Sequence, residues 1–307
     1  MKKYRLISDD NYLLSIHSFD VEKPKAVIQI IHGMEEHQER YKNFARFLNK
    51  SGYTVVSSDL RGHGNTASYL GFFKEKDGYK ALITDQIKIR KFISEIYPGT
   101  PVYLFAHSMG TIISRVLLQT HSKYYEKVIL SGYPNFQAAA YFGLFFSRII
   151  KSFKGAKYKS KFLQQLTVGI FNNSITNPET DVDWICHNKA TVKSYINDPY
   201  CGIGFTCSAF EDLYHLVLKM HRPEHYKNIN KSMPILLIRG LDDPCVGKTK
   251  GARDSYLTLA NAGFTNISRI NYKNMRHEIL NEINNKKVYL DIVRFYDKQS
   301  CPATGNA

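Results

Sequence analysis

The sequence predicts an α/β fold in which a mostly parallel central sheet carries helices on both faces. Two observations lead to this prediction. Short, apolar, β-branched segments alternate with longer amphipathic segments through residues 1–132, and the alternation resumes through residues 233–298. Such alternation requires crossover connections, which place successive strands parallel to one another. With 307 residues, the chain is long enough for one domain of this kind with an insertion.

The first part of this pattern begins with two short strands and continues as strand–helix units. Residues 2–8 and 12–18 are typical of an antiparallel pair joined at the turn Asp9-Asp10-Asn11. Residues 26–31 form an almost continuous apolar run, which is typical of a strand buried on both faces. Further strands are expected at residues 53–57, 102–106 and 127–131, and helices at about 41–48, 81–97 and 111–120.

The alternation pauses over residues 133–232, which read as helix and loop without a parallel strand. We therefore expect these residues to form a mainly helical cap over one edge of the sheet. After the pause, strands are expected at residues 234–240 and 266–272, and helices at about 248–262 and 286–298. Residues 299–307 are small and polar, and we expect them to form a disordered tail.

The net charge of +15 raises the question of an anionic partner. The sequence carries no zinc-finger or RNP-like pattern, and much of the basic excess lies outside any nucleic-acid module. We therefore expect no nucleic-acid binding. Hydrophobic residues make up 43% of the chain and charged residues 22%, as in an ordinary water-soluble domain.

The cysteines and the first residues indicate a cytoplasmic protein without a zinc site, and we expect neither a metal nor an organic cofactor. The five cysteines show neither metal-ligand spacing nor a disulfide framework. No apolar run approaches the roughly 20 residues that span a bilayer. The opening lysines are followed by acidic residues before any apolar stretch, unlike a secretory signal.

The strongest local signal is the segment Ala106-His107-Ser108-Met109-Gly110, which joins a predicted strand to a predicted helix. Serine hydrolases place the nucleophile on a sharp strand-to-helix turn, where small residues two positions away on each side let the backbone bend. Ala106 and Gly110 meet this need, although alanine replaces the usual first glycine. Ser108 is therefore the candidate nucleophile. The alternative is an ordinary turn with a helix N-cap serine.

A serine nucleophile needs a base, and the base needs an acid to orient it. On a parallel sheet these groups follow in the chain order serine, acid, histidine. Asp242 and Asp243 come after one later strand and His277 after the next. Because the carboxyl ends of parallel strands line one crevice, all these groups can meet there. Asp243, directly before Pro244, is the preferred acid.

Acyl transfer also needs about two preorganised donors for the oxyanion. We expect these to be the N–H of Met109, which follows the nucleophile, and the N–H of Met34, which lies in the loop after the strand at 26–31. The expected supporting residues are His32, Gly33 and Gly110. His107 is expected to point away from the crevice, and Arg61 and His63 to tie loops together.

Several motifs occur together in this chain. They are His32-Gly33-Met34 with Glu36-His37 and Arg40-Tyr41, Asp59-Leu60-Arg61-Gly62-His63-Gly64, His107-Ser108-Met109-Gly110, Asp198-Pro199-Tyr200-Cys201-Gly202 and Arg276-His277-Glu278. Together they resemble the monoacylglycerol lipase and lysophospholipase branch of the α/β-hydrolases, often described as serine aminopeptidase-like. The resemblance covers about residues 1–298. Glu35 departs from it, because relatives commonly carry a small residue such as glycine there.

The resemblance implies an α/β-hydrolase fold with the triad Ser108, Asp243 and His277 and the oxyanion donors Met34 and Met109. It also implies a serine carboxylic-ester hydrolase that acts on lipid-like esters, such as a monoacylglycerol or a lysophospholipid, through an acyl-enzyme. Two alternatives stay open. An aminopeptidase of the same fold would need cap carboxylates for a substrate ammonium, and a non-catalytic ligand-binding relative would not use the triad.

The cap carries a distinctive surface pattern. Residues 141–166 combine many apolar side chains with basic residues and contain no acidic residue. This composition suits a lid that touches an anionic lipid surface transiently. The alternative is a helix packed on the core with its lysines in solvent. For the aminopeptidase hypothesis, the candidate carboxylates are Glu179, Asp181 and Asp183.

Overall fold

A computed structural model describes residues 1–298 and has an eight-stranded sheet at its centre. The predicted disordered tail, residues 299–307, lies outside the described residues. The strands are β1 (Lys2–Ile7), β2 (Leu13–Phe19), β3 (Val27–Ile31), β4 (Thr54–Ser58), β5 (Val102–His107), β6 (Lys127–Ser131), β7 (Ile235–Gly240) and β8 (Ile267–Tyr272).

The sheet is mostly parallel, as predicted. Its strand order is β1-β2-β4-β3-β5-β6-β7-β8. β1 pairs antiparallel with β2, and β2 antiparallel with β4, whereas every pairing from β4 to β8 is parallel. The carboxyl ends of β3, β5, β7 and β8 therefore lie along one edge, where the candidate site residues follow them.

Helices connect these strands and fill the insertion. They are α1 (Lys42–Lys50), α2 (Gly78–Ile96), α3 (Met109–His121), α4 (Ala139–Lys154), α5 (Lys161–Gln164), α6 (Ile170–Asn172), α7 (Lys189–Asn197), α8 (Cys207–Met220), α9 (Lys248–Asn261) and α10 (Asn285–Asp297). A π-helical turn, Gln165–Gly169, joins α5 to α6, and short 3-10 turns lie at Gln38–Tyr41, Ser122–Tyr124, Asp183–Ile185 and Pro223–His225.

Alternate residues of the central strands pack into different hydrophobic clusters. Ile28 and Ile30 of β3 belong to a cluster that contains residues of α1 and α10. Val27 and Ile31 belong to a second cluster with residues of α2, α3 and α9. Because successive side chains of a strand point to opposite faces, the two clusters are the two sides of the sheet. Both faces are covered by helices, as predicted.

The insertion, residues 133–232, contains α4 to α8 and no strand. Its last helix is also part of the protein core. Phe210, Leu213 and Leu216 of α8 are buried in the same cluster as Ile113 and Leu117 of α3. The insertion therefore shares one continuous hydrophobic core with the sheet domain.

Helix α2 begins three positions earlier than the sequence predicts, at Gly78 instead of residue 81. The reason is a contact that local sequence does not reveal. Asp212 of α8 accepts a hydrogen bond from the Tyr79 N–H at 2.9 Å, which satisfies one of the free donors at the helix start. A carboxylate from the insertion thus caps a helix of the core.

Candidate active site

Ser108 lies between β5 and α3 in an unusual backbone conformation. Its φ is 50° and its ψ is −122°, a combination that costs a non-glycine residue of the order of 1–3 kcal/mol. The Ser108 N–H donates to the Ser131 carbonyl at 3.0 Å, which fixes the turn against β6. Ser108 is the N-cap residue of α3, but its side chain makes no capping hydrogen bond, so the hydroxyl is not used to stabilise the helix start.

Glycines let the backbone close tightly around this turn. A Cβ at Gly110 would lie 2.2 Å from the carbonyl oxygen of Ile31, so only glycine allows α3 to start so near the end of β3. A Cβ at Gly33 would lie 3.0 Å from Ser108 Cβ. The loop after β3, residues 32–37 and hereafter the β3 loop, therefore runs directly beside Ser108.

His277 and Asp243 are hydrogen-bonded partners. His277 Nδ1 donates to Asp243 Oδ2 at 2.9 Å, and both residues are buried. Asp243 Oδ1 accepts from the Cys245 N–H at 2.8 Å, which fixes the carboxylate. Asp242 is exposed instead, with its Oδ2 2.9 Å from Nε2 of His187. The structure thus places Asp243, and not Asp242, beside the candidate base.

The surroundings of His277 suit a proton acceptor. Burial acts to lower the pKa of His277, but the Asp243 carboxylate outweighs it and the pKa is raised above its ordinary value. The Nε2 atom is buried and has no hydrogen-bond partner within residues 1–298. Trp184 of the insertion covers the imidazole, with ring centroids 4.9 Å apart. His277 and Ser108 line the same cavity.

The expectation that His107 points away from the crevice is wrong. Its ring centroid lies 4.7 Å from that of His277, and the side chain lines the cavity. Burial, with a smaller contribution from His277, lowers the pKa of His107 to about 4. A neutral His107 can pack against His277 without charge repulsion, so it forms a wall of the site.

Two backbone N–H groups beside Ser108 are available to an oxyanion. Met109 is the first residue of α3, where an N–H has no acceptor within the helix. The Met34 N–H donates to no acceptor in the described part of the chain. Both residues line the cavity with Ser108. The oxyanion role of Met34 and Met109 stays a prediction. Neither N–H group has an acceptor among the described residues, so both are free to bind an oxyanion.

His32 holds the β3 loop in place. Its Nδ1 donates to the Gly33 carbonyl at 2.8 Å, and its Nε2 accepts from the Leu60 N–H at 2.9 Å. Burial lowers the pKa of His32 to about 3, so the ring is neutral and keeps one donor and one acceptor. The supporting role expected for His32 is therefore to tie the β3 loop to the loop after β4.

Arg61 ties a second set of loops together. It donates to Asp85 Oδ1 of α2 at 2.9 Å and to Asp10 Oδ2 of the β1–β2 turn at 3.0 Å. His63, two residues on, donates from Nδ1 to the Arg61 carbonyl at 2.8 Å. Both residues have the structural roles that the sequence predicts, and neither lines the cavity.

A buried charge network that the sequence analysis missed lies behind the β3 loop. Glu36 Oε1 accepts from the Gly33 N–H at 2.6 Å, and Glu36 Oε2 accepts from Arg40 at 2.8 Å. Arg40 also binds both carboxylate oxygens of Glu278, the residue after His277. Burial acts to raise the pKa of Glu36, but the Arg40 guanidinium keeps it below its usual range.

One cavity of about 820 Å³, a size typical of small-molecule sites, is lined by Ser108, His277 and the two predicted oxyanion donors, Met34 and Met109. The cavity extends between the sheet edge and the insertion. Its apolar lining includes Ile112, Ala140, Ile175, Val182, Leu213 and Val217. Within residues 1–298, four carboxylates line it, Glu35, Glu36, Asp181 and Glu278, and no lysine or arginine does. The cavity of this basic protein is therefore apolar and acidic.

The outer surface of the insertion carries exposed aromatic side chains. Phe142 is 67% exposed, Phe153 83% and Phe162 53%. Not every nearby cation is available to a partner, because Arg148 and Lys151 both bind Glu211 of α8. Within residues 1–298, no helix is both long enough and apolar enough to cross a bilayer.

Comparisons with known proteins agree with this architecture. A family model described as "Serine aminopeptidase, S33" matches residues 22–284. Human monoglyceride lipase is 25% identical over 247 residues, or 77% of this chain and 71% of the human protein. The phospholipase YtpA of Bacillus subtilis is 36% identical over 98 residues, which cover 32% of this chain and 36% of that protein. The crystal structure of a thermostable carboxyl esterase from Bacillus coagulans aligns with a TM-score of 0.87 and 25% identity, over 96% of this chain and 97% of the esterase.

Proposed function

The chain belongs to the family described as "Serine aminopeptidase, S33", and on this premise we propose that it is a serine carboxylic-ester hydrolase acting on lipid-like esters. One observation carries the proposal. Ser108 and His277 line the same largely apolar cavity, and the buried Asp243 carboxylate holds His277 through a hydrogen bond of 2.9 Å. The similar proteins described as a monoglyceride lipase, a phospholipase and a carboxyl esterase are consistent with it.

In the acylation step, the Ser108 hydroxyl oxygen attacks the ester carbonyl carbon while His277 Nε2 takes its proton. Asp243 holds the imidazole through Nδ1 and stabilises the imidazolium that forms. The N–H groups of Met34 and Met109 bind the oxyanion. When the tetrahedral intermediate collapses, the carbon–oxygen bond to the alcohol breaks and His277 protonates that alcohol. The acyl group stays on Ser108.

In the deacylation step, a water molecule attacks the acyl-enzyme carbonyl and His277 takes the water's proton. The second tetrahedral intermediate uses the same two N–H donors. Its collapse releases the carboxylic acid and returns the proton to Ser108. In this proposal the reaction requires no cofactor, because the side chains supply the nucleophile, the base and the oxyanion donors.

The lining of the cavity favours an uncharged head group. Its apolar part offers space for an acyl chain. Among the described lining residues, no lysine or arginine is present to form a charge-assisted hydrogen bond with a phosphate. Of the two ester classes left open by the sequence, a monoacylglycerol therefore fits better than a lysophospholipid with an anionic head group.

The aminopeptidase alternative has less support from the insertion. Asp183 binds the backbone N–H groups of Glu179 and Thr180, and Glu179 pairs with Lys189 at the surface. Among the three cap carboxylates that could bind a substrate ammonium, only Asp181 lines the cavity. Asp181 is exposed, and a single exposed carboxylate is a weak ammonium site.

A transient contact with an anionic membrane surface through residues 141–166 is a further part of the proposal. The exposed phenylalanines Phe142, Phe153 and Phe162 would enter the interface, and nearby lysines would face the lipid head groups. Such a contact would deliver a lipid ester to the cavity beneath α4. It needs no membrane-spanning helix.

We also propose a cytoplasmic location. Four of the five cysteines lie in the described residues, and all four are free and buried. Reduced cysteines fit a reducing compartment. This proposal is tested by fractionating cells that express the full chain and following the protein with an antibody.

Labelling with a fluorophosphonate probe tests the nucleophile. We expect covalent labelling of the wild-type protein at Ser108 and none of Ser108→Ala. Assays with a short p-nitrophenyl ester, a monoacylglycerol, a lysophospholipid and an aminoacyl p-nitroanilide then test the substrate class. Labelling at another residue, or fast anilide cleavage with negligible ester cleavage, would overturn the proposed function.

A further inference from the structure

Glu35 combines a backbone conformation and an environment that are both costly for a glutamate. Its φ is 55°, in the left-handed region that residues other than glycine rarely adopt. The residue is 5% exposed, and burial raises the pKa of its carboxyl above the usual range. A polar group kept under such conditions is held by specific contacts. Those contacts identify what the residue does.

Glu35 is bonded to three separate parts of the insertion. Its Oε1 accepts from Gln164 Nε2 of α5 at 2.9 Å. Its carbonyl oxygen accepts from the Tyr195 hydroxyl of α7 at 3.0 Å and from the Gly202 N–H at 3.0 Å. On the core side, its N–H donates to His63 Nε2 at 3.3 Å. The β3 loop and the insertion therefore meet at Glu35.

The side-chain contact is the one that links α5 to the β3 loop. Gln164 Oε1 is buried and makes no hydrogen bond within residues 1–298, so the amide is engaged through its nitrogen alone. Glu35 directly follows Met34, and both residues line the cavity. A change at the Glu35 backbone therefore acts next to a predicted oxyanion donor.

We propose that Glu35 is a positioning residue that, through Gln164, couples the seating of α5 over the cavity to the conformation of the β3 loop. The proposal rests on the proposed function, because the Met34 N–H matters only if an oxyanion forms beside it. While α5 is seated, the contact holds Glu35 in its left-handed conformation. When α5 lifts, the carboxyl keeps only its hydrogen bond from the Gly204 backbone among the described residues, and the strained segment of Glu35 and Met34 is held less firmly beside Ser108.

The substitution Gln164→Ala tests this coupling without changing the β3 loop itself. With p-nitrophenyl butyrate, a soluble ester that does not need the membrane surface, we expect kcat to fall about tenfold while KM changes less than about twofold. The control is Lys193→Ala, a truncation to alanine on another helix of the insertion, α7. Lys193 is exposed, does not line the cavity, and its side chain hydrogen-bonds to no described residue. Its kcat should stay within about twofold of wild type.

A double-mutant cycle and a conservative variant complete the test. Glu35→Ala should lower kcat as Gln164→Ala does, and the double variant should be no slower than the slower single variant. Glu35→Gln, which keeps a hydrogen-bonding group, should restore at least half of the wild-type kcat. If Glu35 and Gln164 only stabilised the fold, their substitution would lower the unfolding midpoint without producing this pattern of kcat values.

The outcomes separate this inference from the proposed function. If the wild-type protein does not hydrolyse the ester, the proposed function fails. If it does, but Gln164→Ala behaves like Lys193→Ala, the coupling is wrong. Losses that multiply in the double variant would also overturn it. Should Glu35→Ala fail to fold, the comparison of Gln164→Ala with Lys193→Ala decides the question alone.

Discussion

Arg40 and Glu278 form a bidentate ion pair across 238 positions of the chain, with Nη1 and Nη2 each 2.7 Å from a carboxylate oxygen. Arg40 also binds Glu36 of the β3 loop, and Glu278 directly follows His277. One guanidinium thus sets the separation between the loop that carries the predicted oxyanion donor and the loop that carries the candidate base. The fork geometry of arginine makes the contact directional as well as attractive.

Removing this guanidinium should be costly. Arg40→Met leaves the Glu36 and Glu278 carboxylates buried without their cation, and we expect a loss of about 3–5 kcal/mol in the free energy of unfolding. Urea denaturation measures it. The control is Arg148→Met, which breaks the exposed pair with Glu211 and should cost less than about 1 kcal/mol. If both variants lost the same free energy of unfolding, the buried network would stabilise the fold no more than the exposed pair does.

The two neighbouring aspartates should behave differently. Asp243→Asn removes the carboxylate that orients His277, and we expect kcat for a p-nitrophenyl ester to fall about 10⁴-fold. Asp242→Asn changes an exposed pair with His187 and should leave kcat within about twofold. Steady-state kinetics on both variants checks this. A large loss at Asp242 with little loss at Asp243 would reverse the assignment.

The strained turn at Ser108 should be visible in stability. Ser108→Ala and Ser108→Gly both remove the nucleophile and should be inactive. Because glycine adopts positive φ readily, Ser108→Gly should be about 1 kcal/mol more stable than Ser108→Ala. Thermal unfolding of the two inactive proteins gives the difference directly. A less stable glycine variant would mean that the turn stores no strain.

Asp212 should make stability depend on pH. Burial is the main cause that raises the pKa of Asp212, to about 7. Since the folded-state pKa lies above the unfolded value of about 4, the folded state holds the proton more tightly. The contribution of the Asp212 proton to the free energy of unfolding is complete below about pH 4 and is lost as the pH rises through about 7.

The variant Asp212→Asn isolates this effect, because its side-chain oxygen can still accept from the Tyr79 N–H. Between about pH 4 and pH 8, we expect the free energy of unfolding of Asp212→Asn to rise relative to that of the wild type by up to roughly 4 kcal/mol. Urea denaturation of both proteins across this range measures the difference. Parallel stability curves would show that Asp212 titrates normally.

Membrane contact through residues 141–166 should depend on charge. Lys154→Glu with Lys161→Glu should weaken binding to vesicles rich in phosphatidylglycerol by about 1 kcal/mol or more for each site. The matched control, Lys286→Glu with Lys287→Glu, makes the same charge change on α10. Vesicle sedimentation at several salt concentrations checks this. Equal weakening in both proteins would show that only the overall charge matters.

The sequence predicted the sheet, the helices on both faces and the neighbourhood of Ser108, Asp243 and His277, because these depend on periodicity and on chain order. It could not show that His107 faces His277, since that depends on how the loop after β8 reaches the end of β5 across β6 and β7. The Asp212 cap and the Glu35–Gln164 contact were equally inaccessible. Each joins residues more than a hundred positions apart. The Glu36–Arg40 spacing and the charge beside His277 were the signals that could have indicated the buried network.

Helix α8 determines which part of the insertion can be exchanged between relatives. It follows α4 to α7 in the chain, yet its apolar face completes the interior beside α3. Deleting residues 133–232 as a block would therefore open the centre of the sheet domain to solvent. A chimaera that replaces residues 139–204 and keeps α8 respects this boundary. Exchanging that shorter stretch replaces most of the cavity-lining residues of the insertion while α8 keeps the core closed.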